Sequence, residues 1–406
     1  MIQVERHFNT GNKEIIRLCQ MSKELYNFCN FYFRKTYFSN QKLEKRMPLP
    51  DISSLSKLVE NEACYKSLHN TKTAKQTIRK LISDWSTYFK TIKAYKKNPK
   101  VFLSCPKPPG YKKHLAQVIF YNETIKRKPL KQNIIIPTNQ CFSIYSKIKD
   151  FKQVIITPKR FGFIIEVQYE ITPKQHRSDK LDKGKVCCID LGVNTLAAIT
   201  TNQNTVPILI NGRVLKSINQ WYNKNPSKRR NRKRYWRMEN YFHHTSKFII
   251  EYCLKNGIGK IIIGKNDGWK QESKMGKKNN QHFQFIPFNN LIQKIQYKAF
   301  MNGIEVEFVE ESYTSKASFF DKDPFDNSRI SGTRKHRGLY VSNGFAVNAD
   351  VNGSLNIGRK VINVIGESYL NSKIIDRSLA ARPVVINPLK SSLRITAENG
   401  LVAQTI

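Results

Sequence analysis

Two aspartates stand where a buried element begins or ends. Asp190 follows the short apolar run 186–189, and Asp350 opens a predicted helix in the stretch NADVNGSLNI. A short apolar run bounded by glycine and polar residues is typical of a buried strand in an α/β sheet. Burying a carboxylate costs free energy unless an arginine, a helix N-terminus or a metal ion compensates its charge. Two carboxylates on separate elements can share divalent metal ions and support two-metal phosphodiester chemistry, whereas Asp190 by itself could simply cap a strand end.

The stretches around both aspartates resemble motifs of a known family. CCIDLGVNTLAAIT contains Asp190, NADVNGSLNIGRK contains Asp350, and the two resemble the first and third motifs of a RuvC-type nuclease domain with the RNase H fold. More narrowly, they are similar to those of TnpB, the transposon-encoded RNA-guided nuclease related to the compact type V CRISPR effectors. The resemblance implies an α/β nuclease domain in which three acids hold two metal ions.

The third acid is missing from its usual place. In most TnpB relatives a glutamate ends the strand that has the sequence KIIIG in this chain, where Gly264 stands instead. This change is compatible with an inactive nuclease. Asp267 and Glu272 lie close by, but they belong to a Gly- and Lys-rich loop beyond the strand, where solvated acids are the simpler interpretation.

The following strand offers a better candidate for the third acid. EESYTSKASF resembles the motif of relatives, including the eukaryotic Fanzor proteins, whose catalytic glutamate has moved to this strand. Their acid precedes a Thr-Ser pair by three residues, and that pair corresponds here to 314–315, which implies Glu311. Strand parity agrees, because Glu310 would share a face with the apolar Ile304 whereas Glu311 takes the other face. Sites collect at the carboxyl ends of parallel strands, so Glu311 is favoured and Glu310 stays the alternative.

Composition points to a polyanionic partner. The chain has 406 residues, a net charge of +40 and a pI near 10.0, with 40% hydrophobic and 11% aromatic residues. It is therefore a folded protein of two or three domains, far more basic than solubility requires. No apolar stretch of about 18 residues occurs, so a membrane partner is not expected. The start MIQVERHFNT lacks the apolar core of a signal peptide, which predicts a cytoplasmic protein, nucleoid-associated in a prokaryote when bound to DNA.

The cysteines argue against zinc. They stand at 19, 29, 64, 105, 141, 187, 188 and 253, with no CxxC pair, and none occurs after Cys253. The region 313–347 takes the place of the family's zinc ribbon, and neither His336 nor its scattered acids make a tetrahedral site. The prediction is a ribbon-like insertion without zinc. It would be held by the packing of its larger apolar residues, Phe319, Phe320, Leu339, Tyr340 and Phe345.

A dense basic run predicts a nucleic-acid contact. It begins soon after Pro226, and two aromatic residues are interleaved with its cations. Such a run is often only a solvated helix face. Its like charges repel one another, however, and neutralisation of a phosphate backbone with base or sugar stacking explains the pattern better. The predicted nucleic-acid-binding residues are Lys228, Arg229, Arg230, Arg232, Lys233, Arg234, Tyr235, Trp236 and Arg237.

The periodicity of the apolar residues and the positions of helix-breaking residues predict a multidomain α+β organisation. Helical spacing over 13–37 and 65–95, a proline-rich break at 105–113, short β-rich runs after 114 and strand–helix alternation after 186 set the boundaries. The predicted segments are 1–10, the first strand of a wedge β-barrel; 11–113, a helical recognition domain; 114–185, the wedge β-barrel and a linker; 186–360, the RuvC-like nuclease domain with the insertion 313–347; and 361–406, a C-terminal tail. The names of these domains rest on the resemblance to TnpB.

The resemblance implies an RNA-guided DNA endonuclease encoded by a transposon-type element. Asp190, Glu311 and Asp350 would hold Mg²⁺ or Mn²⁺, and the partners would be a guide RNA and target double-stranded DNA beside a short adjacent motif. A nuclease-inactive RNA-guided repressor is the alternative, because it would keep the fold and the basic surface while losing an acid. A DDE-type transposase is less favoured, since the N-terminal half and the Asp350 motif match TnpB-like proteins.

Overall fold

The chain divides into two compact units. The computed structural model describes residues 2–11, 13–44, 46–68, 70–125, 133–137, 143–171, 181–203, 205–265, 285–326, 328–336, 338–362, 376–395 and 401–405. The units are Met1–Ile171 and Thr172–Ile406. Each contains helices and sheet, which confirms the predicted multidomain α+β class. Asp267 and Glu272 lie outside the described residues.

The helices of the first unit pack around an aromatic core. They are α1 Lys13–Asn40, α2 Ile52–Val59, α3 Ala63–Lys66 and α4 Thr71–Lys97, with a 3₁₀ turn at Pro99–Val101. The predicted helix over 65–95 is in fact two helices, because Asn70 caps α4 by accepting a hydrogen bond from Thr73 N at 2.7 Å. Trp85 of α4 is fully buried, stacks on Phe33 with 4.5 Å between ring centroids, and donates its Nε1–H to Asn30 Oδ1.

The strands of the first unit form an antiparallel sheet. They are β1 Ile2–Asn9, β2 Val118–Tyr121, β3 Ile134–Ile135, β4 Ile144–Tyr145, β5 Gln153–Lys159 and β6 Gly162–Glu170. The order is β1-β6-β5-β2, with β3 and β4 paired separately, so the N-terminal strand joins strands far along the chain. Closure of these strands into a barrel stays a prediction.

A mixed six-stranded sheet forms the centre of the second unit. Its strands are β7 Asp182–Leu191, β8 Thr195–Thr201, β9 Ile208–Asn211, β10 Ile258–Gly264, β11 Glu305–Val309 and β15 Val384–Ile386, in the order β11-β10-β7-β8-β9-β15. β10 is parallel to β7 and β11, whereas β8 is antiparallel to both β7 and β9. The carboxyl ends of β7, β10 and β11 therefore lie at one edge of the sheet. Neither β8 nor β15 was predicted from the sequence.

Helices cover both faces of this sheet. The helices of the unit are α5 Arg213–Lys224, α6 Lys228–Lys255, α7 Phe288–Met301, α8 Ala349–Ile362 and α9 Arg377–Ala381. Along β7, Cys187 and Ile189 pack into the core with α6 and α7, while Val186 and Cys188 pack against α8. This alternation is the two-residue period of a strand that is buried on both faces. Residue 190 therefore belongs to the α8 side.

The insertion before α8 has its own small sheet. Its strands are β12 Gly332–His336, β13 Leu339–Ser342 and β14 Phe345–Asn348, and a hairpin of β16 Ser391–Ile395 with β17 Leu401–Thr405 lies near the end of the chain. β14 leads directly into α8, so the insertion is anchored where Asp350 begins its helix. Among the described residues, no helix is both long and apolar enough to span a membrane.

Candidate active site

Asp190 lies near the carboxyl end of the central strand. It pairs with Ala198 of β8 and is followed in β7 by Leu191, so the strand extends one residue past Asp190, where the sequence predicted its end. Gly353 of α8 stands opposite, and a Cβ at that position would lie 2.6 Å from Asp190 Oδ2. That distance is well inside van der Waals contact. The glycine therefore leaves the space that the carboxylate occupies.

Burial and neighbouring charge act together on Asp190. Burial raises the pKa of Asp190 well above its ordinary value, and the negative charges of Glu311 and Asp350 raise it further. The positive charge of Arg334 acts in the opposite direction. Interactions of this kind fall off with distance, so the structure brings the three predicted acids into one electrostatic cluster.

Asp350 is fixed by the start of α8. Asn348 Oδ1 accepts hydrogen bonds from the backbone N–H groups of Asp350, at 3.0 Å, and Val351, at 3.2 Å, as an N-cap does. Thr195 Oγ1 donates to Asp350 Oδ2 at 2.7 Å, and Arg334 Nη2 lies 3.2 Å from Asp350 Oδ1. Side chains from β8 and β12 thus set the orientation of this carboxylate.

Glu311 reaches the site from a segment beyond the edge strand. β11 ends at Val309, which pairs with Gly264 at the end of β10, so strand parity does not govern Glu311. A Cβ at position 264 would overlap Glu311 Oε1 and would lie 2.7 Å from Glu311 Cγ and 2.5 Å from Ile357 Cδ1. The Glu311 side chain therefore occupies the space beside the end of β10, next to Gly264.

The two adjacent glutamates have different surroundings. Burial raises the pKa of Glu311 to about 7, although the charge of Lys360 acts to lower it. Glu310 is exposed, and its carboxylate accepts a hydrogen bond from Ser312 Oγ. Of the two, Glu311 is the one whose charge raises the pKa of Asp190. The geometry therefore favours Glu311 as the third acid.

The donor chemistry of this cluster suits Mg²⁺. Among the described residues, no group of three or more His, Cys, Asp or Glu side chains is already spaced as a metal centre. The three carboxylates nevertheless offer hard oxygen donors, and burial, followed by the negative charges of Glu311 and Asp350, raises the pKa of Asp190. Cys187 and Cys188 are buried within the sheet and its two cores. The residues present therefore fit a hard divalent cation.

A cleft of about 1100 Å³ opens at this edge of the sheet. Its walls come from the carboxyl ends of β7 and β9, from the turn 192–194 and from β12. Glu311 and Asp350 line it together with the cations Arg213, Arg334 and Lys335. Carboxylates beside exposed cations can hold metal ions and phosphates in the same space. None of these three cations was singled out from the sequence, because an isolated basic residue has no sequence pattern that indicates a binding role.

The basic run lies on the first half of α6 and is not one uniform surface. Ser227 caps this helix by accepting a hydrogen bond from Arg230 N at 3.1 Å. Lys228, Arg229, Lys233 and Arg237 are exposed, whereas Arg230, Arg232, Arg234, Tyr235 and Trp236 are partly covered. Arg230 and Arg237 both lie over the ring of Trp221, at 5.3 and 4.8 Å from its centroid.

Arg234 points into the protein. Its Nε donates to Asn219 Oδ1 at 2.6 Å, its Nη2 donates to Phe285 O at 3.3 Å, and its guanidinium lies over the ring of Tyr222. Burial lowers its pKa. Arg234 therefore joins α5 and α6, and a structural role describes it better than the predicted contact with nucleic acid.

A polar network holds the insertion. Asp323 is buried and accepts hydrogen bonds from Ser318 N at 2.8 Å, Ser331 N at 2.9 Å and Ser331 Oγ. Asp321 accepts in the same way from Ser318, Ser342 and Asn343. The predicted apolar packing is present in part, because Tyr340 is buried while Phe345 is 54% exposed. This network was not predicted, because both aspartates resemble solvated loop acids in the sequence.

Residues 376–386, within the predicted C-terminal tail, contain a short helix and a strand. β15 adds a parallel strand beside β9, with Val384 opposite Ile208, and Val385 lines the cleft. Arg377 of α9 lies over the rings of Phe320 and Phe345 of the insertion. The short run VVI followed by Asn-Pro was a signal that could have identified this strand.

Comparison with known proteins identifies the class of this region. Residues 288–357 match the family described as Cas12f1-like, TNB domain, a segment that includes Glu311 and Asp350 but less than half of the chain. The match confirms, over this segment, the predicted resemblance to compact type V effectors. No curated protein matches the chain.

Solved structures of such effectors align over most of the chain. One is a Cas12f1–sgRNA–target DNA complex, with 14% identity, a TM-score of 0.44, and coverage of 85% of this chain and 82% of that chain. Another is the mini-RNA-guided endonuclease CRISPR-Cas_phi3, with 9% identity, a TM-score of 0.44, and coverage of 88% and 92%. These similarities are low, so the site itself carries the functional conclusion.

Proposed function

We propose that this chain is an RNA-guided DNA endonuclease of the TnpB type, encoded by a transposon-type element. The observation that carries the proposal is the electrostatic cluster of Asp190 with Glu311 and Asp350, the last two of which line one cleft at the carboxyl edge of the sheet. Each acid comes from a different element, and each is held in place: Asp190 by β7, Asp350 by the N-cap of α8, and Glu311 in the space left by Gly264.

The three acids would hold Mg²⁺ or Mn²⁺. When bound, the metal ions would supply an activated water and stabilise the leaving 3′ oxygen of a cleaved phosphodiester. Thr195 and Arg334 keep Asp350 oriented toward the cluster. Arg213 and Lys335 place positive charge along the cleft, which suits the phosphates of a DNA strand entering it.

The remaining surface suits two nucleic-acid partners. A net charge of +40 exceeds what one cleft requires, and the four exposed cations of the basic run 228–237 on α6 add a second basic surface. We propose that a guide RNA covers part of this charge and that base pairing between guide and target selects the sequence. Target double-stranded DNA with a short adjacent motif is the proposed substrate.

One experiment tests the proposal directly. The protein is purified with its co-purifying RNA, the RNA is sequenced, and plasmids carrying the matched sequence beside randomised flanks are incubated with Mg²⁺, Mn²⁺ or EDTA. We expect cleavage of matched plasmids that needs Mg²⁺ or Mn²⁺ and survives a zinc-specific chelator. Binding of matched DNA without cleavage under any of these metals would instead identify an RNA-guided repressor.

A further inference from the structure

Glu311 lies in a segment with no regular secondary structure. β11 ends at Val309, and the chain then turns through Tyr313, whose φ is +64°. Glu311 O accepts hydrogen bonds from Thr314 N at 3.1 Å and Thr314 Oγ1 at 2.9 Å, which closes a local turn. Such a turn fixes its own shape but not its place against the sheet. The position of Glu311 therefore depends on what holds this segment from outside.

Lys360 holds the segment on both sides of Glu311. Its Nζ donates to Glu310 O at 3.0 Å and to Ser312 O at 2.6 Å. The Nζ also lies 5.1 Å from the ring centroid of Phe325. The two carbonyl acceptors flank the one residue whose side chain must enter the cluster. A single ammonium group thus spans the backbone of Glu311.

The same helix anchors the segment further along the chain. Asn356 Nδ2 donates to Thr314 O at 2.9 Å and to Ala317 O at 2.7 Å, and Asn352 Nδ2 donates to Ala317 O at 2.8 Å. α8 also carries Asp350 in its first turn and Gly353 opposite Asp190. The helix α8 therefore supplies Asp350, leaves space for Asp190 and holds the backbone of the segment that carries Glu311.

We propose that Lys360 is a positioning residue that places Glu311 in the metal-binding cluster by holding the carbonyls of residues 310 and 312. This inference rests on the proposed nuclease function. A lysine suits the role because its ammonium has three donors and can satisfy two carbonyls at once, and its positive charge lies close enough to Glu311 to interact with that carboxyl. Lys360 is only partly buried, so water can reach the two carbonyls when the lysine is removed. Loss of the lysine should therefore disturb the site far more than the fold.

The test compares Lys360→Met, Lys360→Arg and Lys255→Met in the full-length, RNA-bound protein. Met keeps the apolar stem without a donor, Arg keeps a cation with several donors, and Lys255 is an exposed lysine at the end of α6 whose loss removes the same charge. Four quantities are measured: the cleavage rate of matched DNA, Mn²⁺ affinity by electron paramagnetic resonance without DNA, target binding by gel shift, and Tm. We expect Lys360→Met to lose about 10- to 100-fold in cleavage rate and in Mn²⁺ affinity.

The other measurements separate positioning from general structure. Target binding should be unchanged in Lys360→Met, Tm should shift by less than about 2 °C, Lys360→Arg should recover most of the lost activity, and Lys255→Met should behave as wild type. Wild-type cleavage and Mn²⁺ affinity in Lys360→Met would overturn the inference and leave the proposed function intact. A large fall in Tm together with lost target binding would overturn it in favour of a structural lysine. A wild-type protein that binds matched DNA but neither cuts it nor binds Mn²⁺ would overturn both.

Discussion

At the scale of single residues, two glycines define the site as much as the acids do. Gly264 leaves room for Glu311, and Gly353 leaves room for Asp190, because a Cβ at either position would lie within 2.7 Å of carboxylate side-chain atoms. Neither glycine has a positive φ, so backbone freedom does not explain them. Glu311 with Gly264 and Asp190 with Gly353 therefore form two matched pairs, and a change of either member should disturb the cluster.

Removal of any one acid should end cleavage. Asp190→Ala, Glu311→Ala and Asp350→Ala each delete a hard oxygen ligand from a shared site, so we expect no detectable cutting of matched plasmid while RNA and target binding persist. Glu310→Ala is the matched control, because Glu310 is exposed and turned toward Ser312. It should retain measurable cleavage, and Asp267→Ala and Glu272→Ala should cut almost normally. Cutting by Glu311→Ala would show that the third ligand lies elsewhere.

A methyl group at position 264 should act almost as strongly as loss of the acid. We expect Gly264→Ala to reduce the cleavage rate by about 10²-fold, because the added Cβ overlaps the Glu311 carboxylate and a misplacement of about 1 Å has that cost. Gly110→Ala is the control, since a Cβ there meets nothing within 4 Å. The double variant Gly264→Glu with Glu311→Ala should cut faster than Glu311→Ala alone. Equal inactivity would mean that residues 264 and 311 do not serve one ligand position.

At the scale of elements, α6 shows that a charge run in sequence is not one surface in space. Lys228, Arg229 and Lys233 point outward, while Arg234 is bound to α5 through Asn219. The helical period of 3.6 residues spreads a dense run around the axis, so part of it must face the core. The outward cations are the ones most accessible to a phosphate backbone.

Two sets of glutamine substitutions should therefore behave differently. Lys228→Gln, Arg229→Gln and Lys233→Gln together should weaken RNA binding and flatten the plot of log affinity against log salt by about 0.7 to 0.9 for each phosphate that is no longer neutralised. Arg234→Gln should leave that slope unchanged and destabilise the unit by about 1–3 kcal/mol, because it leaves buried acceptors without their donor. Salt titrations and thermal melts measure the two effects. An unchanged slope in the triple variant would make this surface only a solvated helix face.

The insertion should depend on an ionised aspartate instead of a metal. Burial acts to raise the pKa of Asp323, but hydrogen bonds from Ser331 and Ser318 outweigh it and leave the pKa below its ordinary value. A lowered folded-state pKa stabilises the fold above the unfolded-state pKa of about 3.9, and this contribution is lost as pH falls through the folded-state value. Asp323→Asn should therefore melt below wild type between about pH 5 and about pH 7, and the gap in Tm should narrow below about pH 4. A gap that does not change with pH would contradict the role of the charge.

At the scale of the whole molecule, local patterns predicted the elements that they encode, whereas structure built jointly by distant segments escaped prediction. Asp190 and Asp350 stand in motifs whose strand and helix form as expected, although β7 continues past Asp190. β8 escaped because its sequence, TLAAITT, shows no strict alternation of apolar and polar residues. β15 escaped because a strand of three residues gains its stability from pairing with β9, which lies far earlier in the chain. The roles of Arg334 and Lys360 could not be predicted from the sequence, because each depends on a partner that only the fold brings close.

Truncation after residue 375 should damage the second unit, whereas truncation after residue 390 should not. The shorter chain loses β15, which covers the edge of β9, and with it Ile386, which is 2% exposed in the main core. Burial of such a side chain contributes about 1.5–3 kcal/mol, and the uncovered edge of β9 is free to pair with other chains. We expect a lower Tm, concentration-dependent aggregation and loss of cleavage for 1–375, measured beside 1–390, which keeps β15 and Val385 in the cleft wall. If 1–375 melts and cuts like 1–390, the added strand is dispensable and the sheet is complete at β9.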